Sequence, residues 1–522
     1  MGARWRSVTC VASLLCIAGQ AGSQVQPFEV AAPVTPRTRI DELLFARLAQ
    51  LGIEPAFPAS DAVFLRRVHL DLIGTLPTVE EARRFLADRD PGKRAKCIDA
   101  LLDRPEFAEY QAMRWADLLR VKAEFPINLW PNAVQAYHRW IHASIAGRMP
   151  YDRFARELLT ASGSCFRVPA VNFWRATQNR TPEGLAGVAA LTFLGTRIER
   201  WPAERRAGMA AFFGRVGMKS TLEWKEEIVF FDRDRPPAQQ GAAVFPDGTV
   251  AQLAPEVDPR VAFADWLVAP DNPFFARAVV NRIWAWLLGR GLVHEPDDQR
   301  PDNPPVHPDV LRWLERELVT AGFDLRPVYR AIANSQVYQL SALPRTPSPE
   351  AEAHFAHYGI RRLEAEVLLD AICRITGTTE RYTSPIPEPF TFLPEDQRAI
   401  AIADGSITSP FLEMYGRPPR DTGLESERDN QPSAAQRLHL LNSSHVQNKI
   451  QSGPGLAALL RASRTPKDAV RNLYLAFLSR PPSDAELEVV TRHAQAGATL
   501  PRQAAEDLAW ALLNSTEFLY RH

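Results

Sequence analysis

The chain has 522 residues with 61 basic and 61 acidic side chains, so its formal net charge is zero. Hydrophobic residues make up 46% and charged residues 23%, which is ordinary for a soluble globular protein. The balanced charge argues against general nucleic-acid binding, and we expect no nucleic-acid partner. The 43 prolines against 27 glycines indicate many fixed breaks between short elements.

The first residues have the composition of a secretory signal. Two arginines near the start precede an apolar run, Val8 to Ala18, that is too short to span a bilayer. Ala21 and Ser23 put small residues where a signal peptidase cleaves, so we predict that residues 1–23 are removed. No later apolar stretch is long enough for a membrane helix. The sequence therefore predicts a soluble periplasmic or secreted protein with no membrane span.

Helical periodicity dominates the rest of the chain, because apolar residues recur at three- and four-residue spacing. Start signals agree: Thr78 with Glu81 and Ser483 with Glu486 fit capping boxes, and Pro182 sits in a first helical turn. The predicted helices are 40–51, 62–73, 95–102, 107–121, 134–146, 183–194, 204–215, 260–268, 274–288, 309–321, 326–335, 363–376, 433–442, 466–478, 484–494 and 502–514.

Strand signals are few. Residues 227–231 and 399–402 are candidate strands, and neither is expected to build a sheet. The predicted fold is therefore mainly α, with minor short β pieces.

Composition places the domain boundaries. Residues 233–259 are rich in Pro, Gly, Ala and Gln and are predicted to connect two helical lobes, 40–232 and 260–522. Within the second lobe, residues 384–427 have little helical pattern and many prolines, glycines and charges. We expect them to form a loop-rich excursion from the helical lobe.

Removal of residues 1–23 leaves three cysteines, Cys97, Cys165 and Cys373. They are too few and too scattered for a disulfide framework, although one pair could bridge. The chain has no CxxC and no CxxCH motif, so haem c is not expected. It also lacks a GxSxG elbow and a phosphate-binding P-loop.

The segment from Asp265 to Pro308 holds the candidate site residues. A helix rich in Trp, Phe, Arg and Asn runs into a proline-stiffened loop that gathers acids and histidines. Guanidinium and amide groups bind carboxylate, sulfate or phosphate, while carboxylates and imidazoles bind divalent cations. The candidates are Arg277, Asn281, Arg282, Arg300 and Asn303 for ligand binding, Asp298 and His307 for catalysis, and Asp298, Asp302 and His307 for a divalent metal. An internal ion-pair network linking helix to loop is the alternative.

Charged residues also interrupt other apolar helices. Arg67 and Asp71 are four residues apart, which predicts a salt bridge on one helix face. Trp115, Asp117 and Arg120 are a similar set in the predicted helix 107–121.

Several segments together resemble one family. FLRRVHLDLIGTLPTVEEARRFLAD (64–88), RWADLLRVK (114–122) and MPYDRFARELLTASGS (149–164) resemble the N-terminal domain of planctomycete secreted cytochrome-associated proteins. The 265–308 segment with its continuation to Leu311, RRLEAEVLLDAI (361–372), LHLLNSS (438–444) and LLNSTEFLY (512–520) resemble the planctomycete-specific domain that follows it. The resemblance implies architecture and an extracytoplasmic location more than a reaction.

Two departures from that family remove sulfur. Many members carry a CxxCH site between an FLG turn and a helix ending in AAFF; here FLGTRIERWPAERRAGMAAFF (193–213) keeps both flanks without the cysteine-containing insert. Some relatives also have a cysteine on each side of the first glutamate of RPPRDTGLESERD (417–429), where this chain has Leu424 and Ser426. The resemblance therefore implies a member without haem.

Two functional classes stay open. In the first, the protein is a binding or assembly component of an extracytoplasmic pathway whose partners are other proteins or a polysaccharide. In the second, it is an extracytoplasmic enzyme, such as a polysaccharide-active hydrolase, that uses Asp, His and Arg side chains with a divalent cation. The absence of a complete catalytic motif favours the first.

Overall fold

The structure is a computed structural model and describes residues 27–236, 242–496 and 501–522. The predicted secretory signal at 1–23 lies outside these residues. Helices dominate the described residues and the strands are short, which confirms the predicted mainly α fold. No helix within these ranges is both long and apolar enough to cross a membrane.

Helices in the first part of the chain begin where the sequence places caps. Thr78 Oγ1 accepts the N–H of Glu81 at 3.0 Å and the Glu81 carboxylate accepts the N–H of Thr78 at 2.7 Å, which confirms the first capping box. The helices are α1 (Arg39–Leu51), α2 (Asp61–Ile73), α3 (Val79–Ala87), α4 (Lys93–Leu102), α5 (Pro105–Leu118), α6 (Pro131–Ala146), α7 (Tyr151–Thr160), α8 (Asn172–Arg175), α9 (Pro182–Ala189) and α10 (Ala203–Ala210).

The second part repeats this pattern. The N–H of Ser483 donates to the Glu486 carboxylate at 2.7 Å and Ser483 Oγ accepts the N–H of Glu486 at 3.3 Å, so the second capping box is confirmed. The helices are α11 (Pro259–Leu267), α12 (Phe275–Leu288), α13 (Pro308–Thr320), α14 (Arg326–Asn334), α15 (Pro349–Ala353), α16 (Ala365–Thr376), α17 (Pro410–Met414), α18 (Ala434–Asn442), α19 (Ser444–Ser452), α20 (Pro454–Arg461), α21 (Pro466–Leu478), α22 (Asp484–Ala496), α23 (Pro501–Leu513) and α24 (Thr516–Leu519).

Short irregular helices join these elements. Helix α9 continues as one turn of π-helix, Ala190–Leu194, which ends at Gly195 with a φ of 61°. Together they account for the predicted helix at 183–194. Short 3-10 turns occupy Pro169–Val171, Ile198–Arg200, Ala399–Ala401 and Glu425–Glu427.

The strand predictions need two corrections. Residues 227–231 do build a sheet: β3 (Glu227–Phe231) is the central strand between β1 (Gly163–Ser164) and β2 (Val216–Ser220), and Val229 faces Gly163 on one side and Met218 on the other. Residues 399–402 are not a strand, because the Asp370 carboxylate accepts the N–H groups of Ala399 and Ile400 and holds them in a 3-10 turn. A second pair joins β4 (Arg361–Arg362) to β5 (Tyr520–Arg521).

Two apolar cores each combine both sides of the 233–259 connection. In the larger core, Tyr151 stacks on Phe275 with ring centroids 4.6 Å apart, and Trp115 meets Trp286 edge-on at 5.9 Å. The smaller core packs apolar side chains of α2 and α5 against α16 and the C-terminal helices. Aromatic side chains from the two predicted lobes are therefore buried against one another.

Buried charges also join remote parts of the chain, and the predicted Arg67–Asp71 salt bridge is wrong. Arg67 instead donates to backbone carbonyls of Leu340 and His522, at 2.8 and 3.0 Å. Asp71 pairs with Arg361 at 2.8 Å and with Arg521 at 2.9 Å. Helix α2 is buried on nearly all sides, so tertiary partners displace the neighbour on the same helix.

The three cysteines are free thiols, so no pair of them bridges. Burial is the largest influence on each thiol and raises its pKa, to about 12 for Cys97. None of the three is therefore an activated thiolate.

Candidate functional site

Two predicted residues on α12 have separate partners inside the protein. Arg277 Nε donates to Glu315 of α13 at 2.7 Å. The buried Asn281 side chain donates to the Val293 carbonyl at 3.0 Å and accepts the Val293 N–H at 2.9 Å. These contacts satisfy both side chains and favour the internal-network interpretation for them.

Arg282 is the centre of a buried clamp. Its guanidinium donates to the carbonyl oxygens of Leu191 and Thr192, which belong to the π-helical turn, and to the Asp297 carboxylate at 2.9 Å. The other Asp297 oxygen accepts the N–H of Glu425 at 2.6 Å. Since Arg282 and Asp297 are both buried, the clamp fixes the turn after α9, helix α12 and the 425 region to one another.

The remaining loop candidates form a row of ion pairs closer to the surface. Asp298 accepts a hydrogen bond from Arg200 at 3.1 Å and forms an ion pair with Arg300 at 3.0 Å, and Arg300 also donates to Asp302 at 3.1 Å. Asp302 is 72% exposed. Asn303 donates to two carbonyl oxygens of the same loop at 2.8 and 2.9 Å, which fixes the turn.

His307 lies apart from these acids. It is buried, and its Nε2 is 3.2 Å from Nδ1 of His354. Burial, assisted by the neighbouring imidazole, lowers the pKa of His307 to about 4. In residues 27–236, 242–496 and 501–522, no three His, Cys, Asp or Glu side chains form a group that could hold a metal ion. The catalytic and metal assignments of Asp298, Asp302 and His307 stay predictions.

A cleft of about 600 Å³ opens beside the Arg282 clamp. One wall consists of residues from the 177–199 segment, which includes α9, the π-helical turn and the turn that follows. The other wall is the 421–424 loop of the predicted excursion, and Arg120 lies between the two. The cleft therefore combines residues from both sides of the 233–259 connection.

The proline-rich loop at the end of the 265–308 segment contacts residues next to and within the cleft lining. The N–H of Gln299 donates to the Gly195 carbonyl at 2.9 Å, and Glu295 pairs with Arg197 of the lining at 3.1 Å. A Cβ at Gly195 would lie 2.9 Å from the Pro296 carbonyl oxygen, so a larger residue would push the loop away. The segment that the sequence singles out thus holds the cleft walls in place.

Most charged groups of the lining have partners. Asp421 pairs with Lys122 at 2.7 Å, and Glu183 pairs with Arg206 at 2.6 Å. Arg120 is different: it is only 2% exposed, and the one hydrogen bond of its side chain to the described residues is a 3.4 Å contact from Nη1 to the Leu118 carbonyl. The cleft therefore has one buried guanidinium, that of Arg120, beside walls whose acids Asp421 and Glu183 are paired with basic side chains.

Both departures from the family pattern meet at this cleft. Arg197 and Glu199 line it in the segment where relatives carry the CxxCH insert, and Leu424 lines it where some relatives have a cysteine. Covalent haem needs two thiols and a histidine, and none of the described lining residues is a cysteine or histidine. The residues present in the cleft do not fit c-type haem.

None of the predicted site residues is among the described residues that line the cleft. Gln178, Asn179, Glu199 and Thr422 were not among the candidates, and Arg120 was noted only for its helix pattern. The two segments that lack the cysteines of relatives were the sequence signal that could have indicated this cleft. The tertiary structure brings both segments to the cleft lining.

Comparisons with protein-family models give two matches. Residues 39–197 match PSCyt2, described as a protein of unknown function (DUF1549), and residues 259–494 match PSD1, described as a protein of unknown function (DUF1553). The cleft draws lining residues from both matched regions. No curated protein and no solved structure matches the chain.

Proposed function

We propose that this chain, which belongs to the planctomycete cytochrome-associated family defined by the paired PSCyt2 and PSD1 domains, is a haem-free binding component of an extracytoplasmic pathway. Its ligand is a stretch of polysaccharide held in the cleft between the 177–199 segment and the 421–424 loop. The observation that carries the proposal is that both family domains, and both segments that differ from relatives in sulfur, line this one cleft.

The cleft has the size and chemistry of a polar ligand site. Its volume of about 600 Å³ falls among binding pockets, which typically measure roughly 300–1,000 Å³. Gln178, Asn179 and Thr422 supply amide and hydroxyl groups that can exchange hydrogen bonds with sugar hydroxyls. Val188 and Leu424 supply apolar surface for the C–H face of a sugar ring. This combination of polar and apolar side chains supports binding of the uncharged sugar chain of a polysaccharide.

The lining acids support binding more than hydrolysis. Glycosidases use two carboxylates on opposite sides of the scissile bond, one of them kept protonated. Here Asp421 and Glu183 are each paired with a basic side chain, and Glu199 is exposed at the cleft edge. We therefore propose binding, and treat hydrolysis as a measurable alternative.

A blocking substitution tests the proposal. Gln178 is exposed in the lining, so Gln178→Trp should fill the cleft without disturbing the core. Gln50→Trp is the matched control, because Gln50 is exposed on α1 and does not line the cleft. Calorimetric titration with a panel of neutral and acidic hexasaccharides should show binding by the wild type and the control, and at least tenfold weaker binding by Gln178→Trp.

Two results would overturn this function. If no hexasaccharide binds, or if Gln178→Trp binds as well as the control, the cleft does not hold a polysaccharide. Release of new reducing ends from a bound hexasaccharide would show hydrolysis and support the enzyme alternative instead.

A further inference from the structure

Arg120 is a buried arginine without the partners that other buried arginines have. Its Nε and Nη2 atoms meet no hydrogen-bond acceptor within the described part of the chain, and no carboxylate of that part lies within salt-bridge distance. Burial of an unpaired charge is costly, since the charge loses its hydration without compensation. A hydrogen-bond acceptor on a bound ligand would offset this cost.

Neighbouring arginines show how this fold normally treats a buried guanidinium. Arg420 pairs with Asp117 at 2.8 Å and donates to the Ala403 carbonyl at 2.7 Å. Arg428 bridges Asp117 and Glu366 at 2.6 and 2.7 Å. Asp117, three residues before Arg120, therefore pairs with Arg420 and Arg428 and not with Arg120.

The guanidinium of Arg120 keeps its positive charge. Burial lowers its pKa to about 10, while Tyr137 and Glu427 act in the opposite direction. A side chain with this pKa stays protonated at neutral pH. The hydroxyl of the neighbouring Tyr137 is also buried without a hydrogen-bond partner among the described residues, but Tyr137 does not line the cleft.

The local backbone holds Arg120 at the cleft and covers it with a glycine. Arg120 follows α5 with a φ of 56°, a conformation that few residues other than glycine adopt. Gly423 has a φ of 76°, and a Cβ there would lie 2.8 Å from Arg120 Nη1. The Gly423 loop thus packs directly on the guanidinium.

We infer that Arg120 is the anion-binding residue of the cleft and takes a carboxylate, sulfate or phosphate carried on the polysaccharide. The inference rests on the proposed function, because it assigns a ligand class to the same cleft. A guanidinium suits all three groups, since its fork of N–H donors matches two oxygens of a planar or tetrahedral anion. Asp421 and Glu183 of the lining are paired with Lys122 and Arg206, whereas Arg120 has no ion-pair partner among the described residues.

The test compares ligands that differ only in charge. Hexagalacturonate and its fully methyl-esterified form share one backbone, and a sulfated hexasaccharide with its desulfated form makes a second pair. Inorganic phosphate and sulfate serve as free-anion probes, which separate recognition of the anion from recognition of the polymer. We expect wild-type protein to bind the acidic member of a pair at least tenfold more tightly, with binding that weakens as salt rises.

Arg120→Met should abolish this preference, so that the acidic and neutral hexasaccharides bind with equal affinity, while Arg120→Lys should restore part of it. Stability provides the second readout. Removal of an unpaired buried charge should leave the urea-unfolding midpoint unchanged or higher. Arg66→Met is the matched control, because Arg66 donates to the carbonyls of Phe477 and Phe518 at 2.6 and 2.8 Å and its loss should lower the midpoint.

The outcomes separate the two proposals. Equal wild-type binding of acidic and neutral ligands, or a preference that survives Arg120→Met, overturns the role of Arg120 and leaves the cleft as a neutral site. A midpoint that falls as far in Arg120→Met as in Arg66→Met shows a structural role instead. Failure of every hexasaccharide to bind overturns both proposals.

Discussion

Asp297→Ala removes the carboxylate that joins Arg282 to the backbone of Glu425. Arg282 Nη2 lies 2.9 Å from one carboxylate oxygen, and the Glu425 N–H lies 2.6 Å from the other. The change leaves a buried guanidinium without its counter-charge and a backbone donor without an acceptor. Loss of one partner from a buried pair typically costs about 3–5 kcal/mol, so we expect the free energy of unfolding to fall by that amount.

Asp302→Ala is the matched control, because it deletes a carboxylate from the same loop. Asp302 is 72% exposed and pairs with Arg300 at 3.1 Å. Surface pairs of this kind contribute roughly 0–1 kcal/mol, so the control should unfold almost as the wild type does. Urea unfolding monitored by tryptophan fluorescence measures the difference between the two variants.

Hydrogen exchange supplies a local readout. Asp297→Ala should speed exchange of the Glu425 amide, since that amide loses its acceptor, whereas Asp302→Ala should not. An Arg282→Met/Asp297→Leu double variant should regain much of the lost stability, because a buried ion pair can often be replaced by apolar groups of similar volume. Equal unfolding free energies for Asp297→Ala and Asp302→Ala would refute the role of the clamp.

Three further predictions concern pH, a loop glycine and the thiols. Burial lowers the pKa of His69 to about 4, below its ordinary 6.5, so the unfolded chain takes up the proton at a higher pH than the folded protein does. The free energy of unfolding should therefore be constant above pH 6.5 and fall by up to about 3 kcal/mol toward pH 4. Urea unfolding at a series of pH values should show a smaller decline for His69→Leu. Gly423→Ala should destabilise the protein by about 1–3 kcal/mol, because the new Cβ would lie 2.5 Å from a carbonyl oxygen. Gly52→Ala is the control, since its Cβ would enter open space and should cost about 1 kcal/mol. Equal decreases in melting temperature for the two variants would contradict this. The folded protein should react slowly with a thiol reagent, because the thiol pKa values of Cys97, Cys165 and Cys373 are raised. After unfolding, the reagent should count three thiols if residues 1–23 have been cleaved, or five if they remain. Rapid modification of the native protein would contradict the raised pKa values.

Local signals in the sequence predicted the helices because helix formation depends on neighbours three or four residues away. The capping boxes at Thr78 and Ser483 are examples, since each involves residues three positions apart. The sheet was missed because its strands are only two to five residues long and because β1, on one side of β3, is remote in sequence. A strand has no such local bond and depends on its partner.

The same distinction applies to the charged residues. Arg67 and Asp71 are neighbours on one helix face, yet each finds partners more than 250 residues away because the helix is buried. Arg282 was correctly singled out as unusual, but its role depends on carbonyls of the π-helical turn that no spacing reveals. Helix type, caps and family segments are local properties, so they can be read along the chain.

The sequence by itself therefore determined the mainly α fold, most helix ranges, the family resemblance and the loss of sulfur at two separate segments. Only the tertiary structure decided that those two segments face one cleft, and that Arg120 lies there without an ion-pair partner among the described residues. The physical reason is that a binding site depends on which remote surfaces are packed together and on which buried charges remain unpaired. Both are outcomes of packing among residues far apart in the chain.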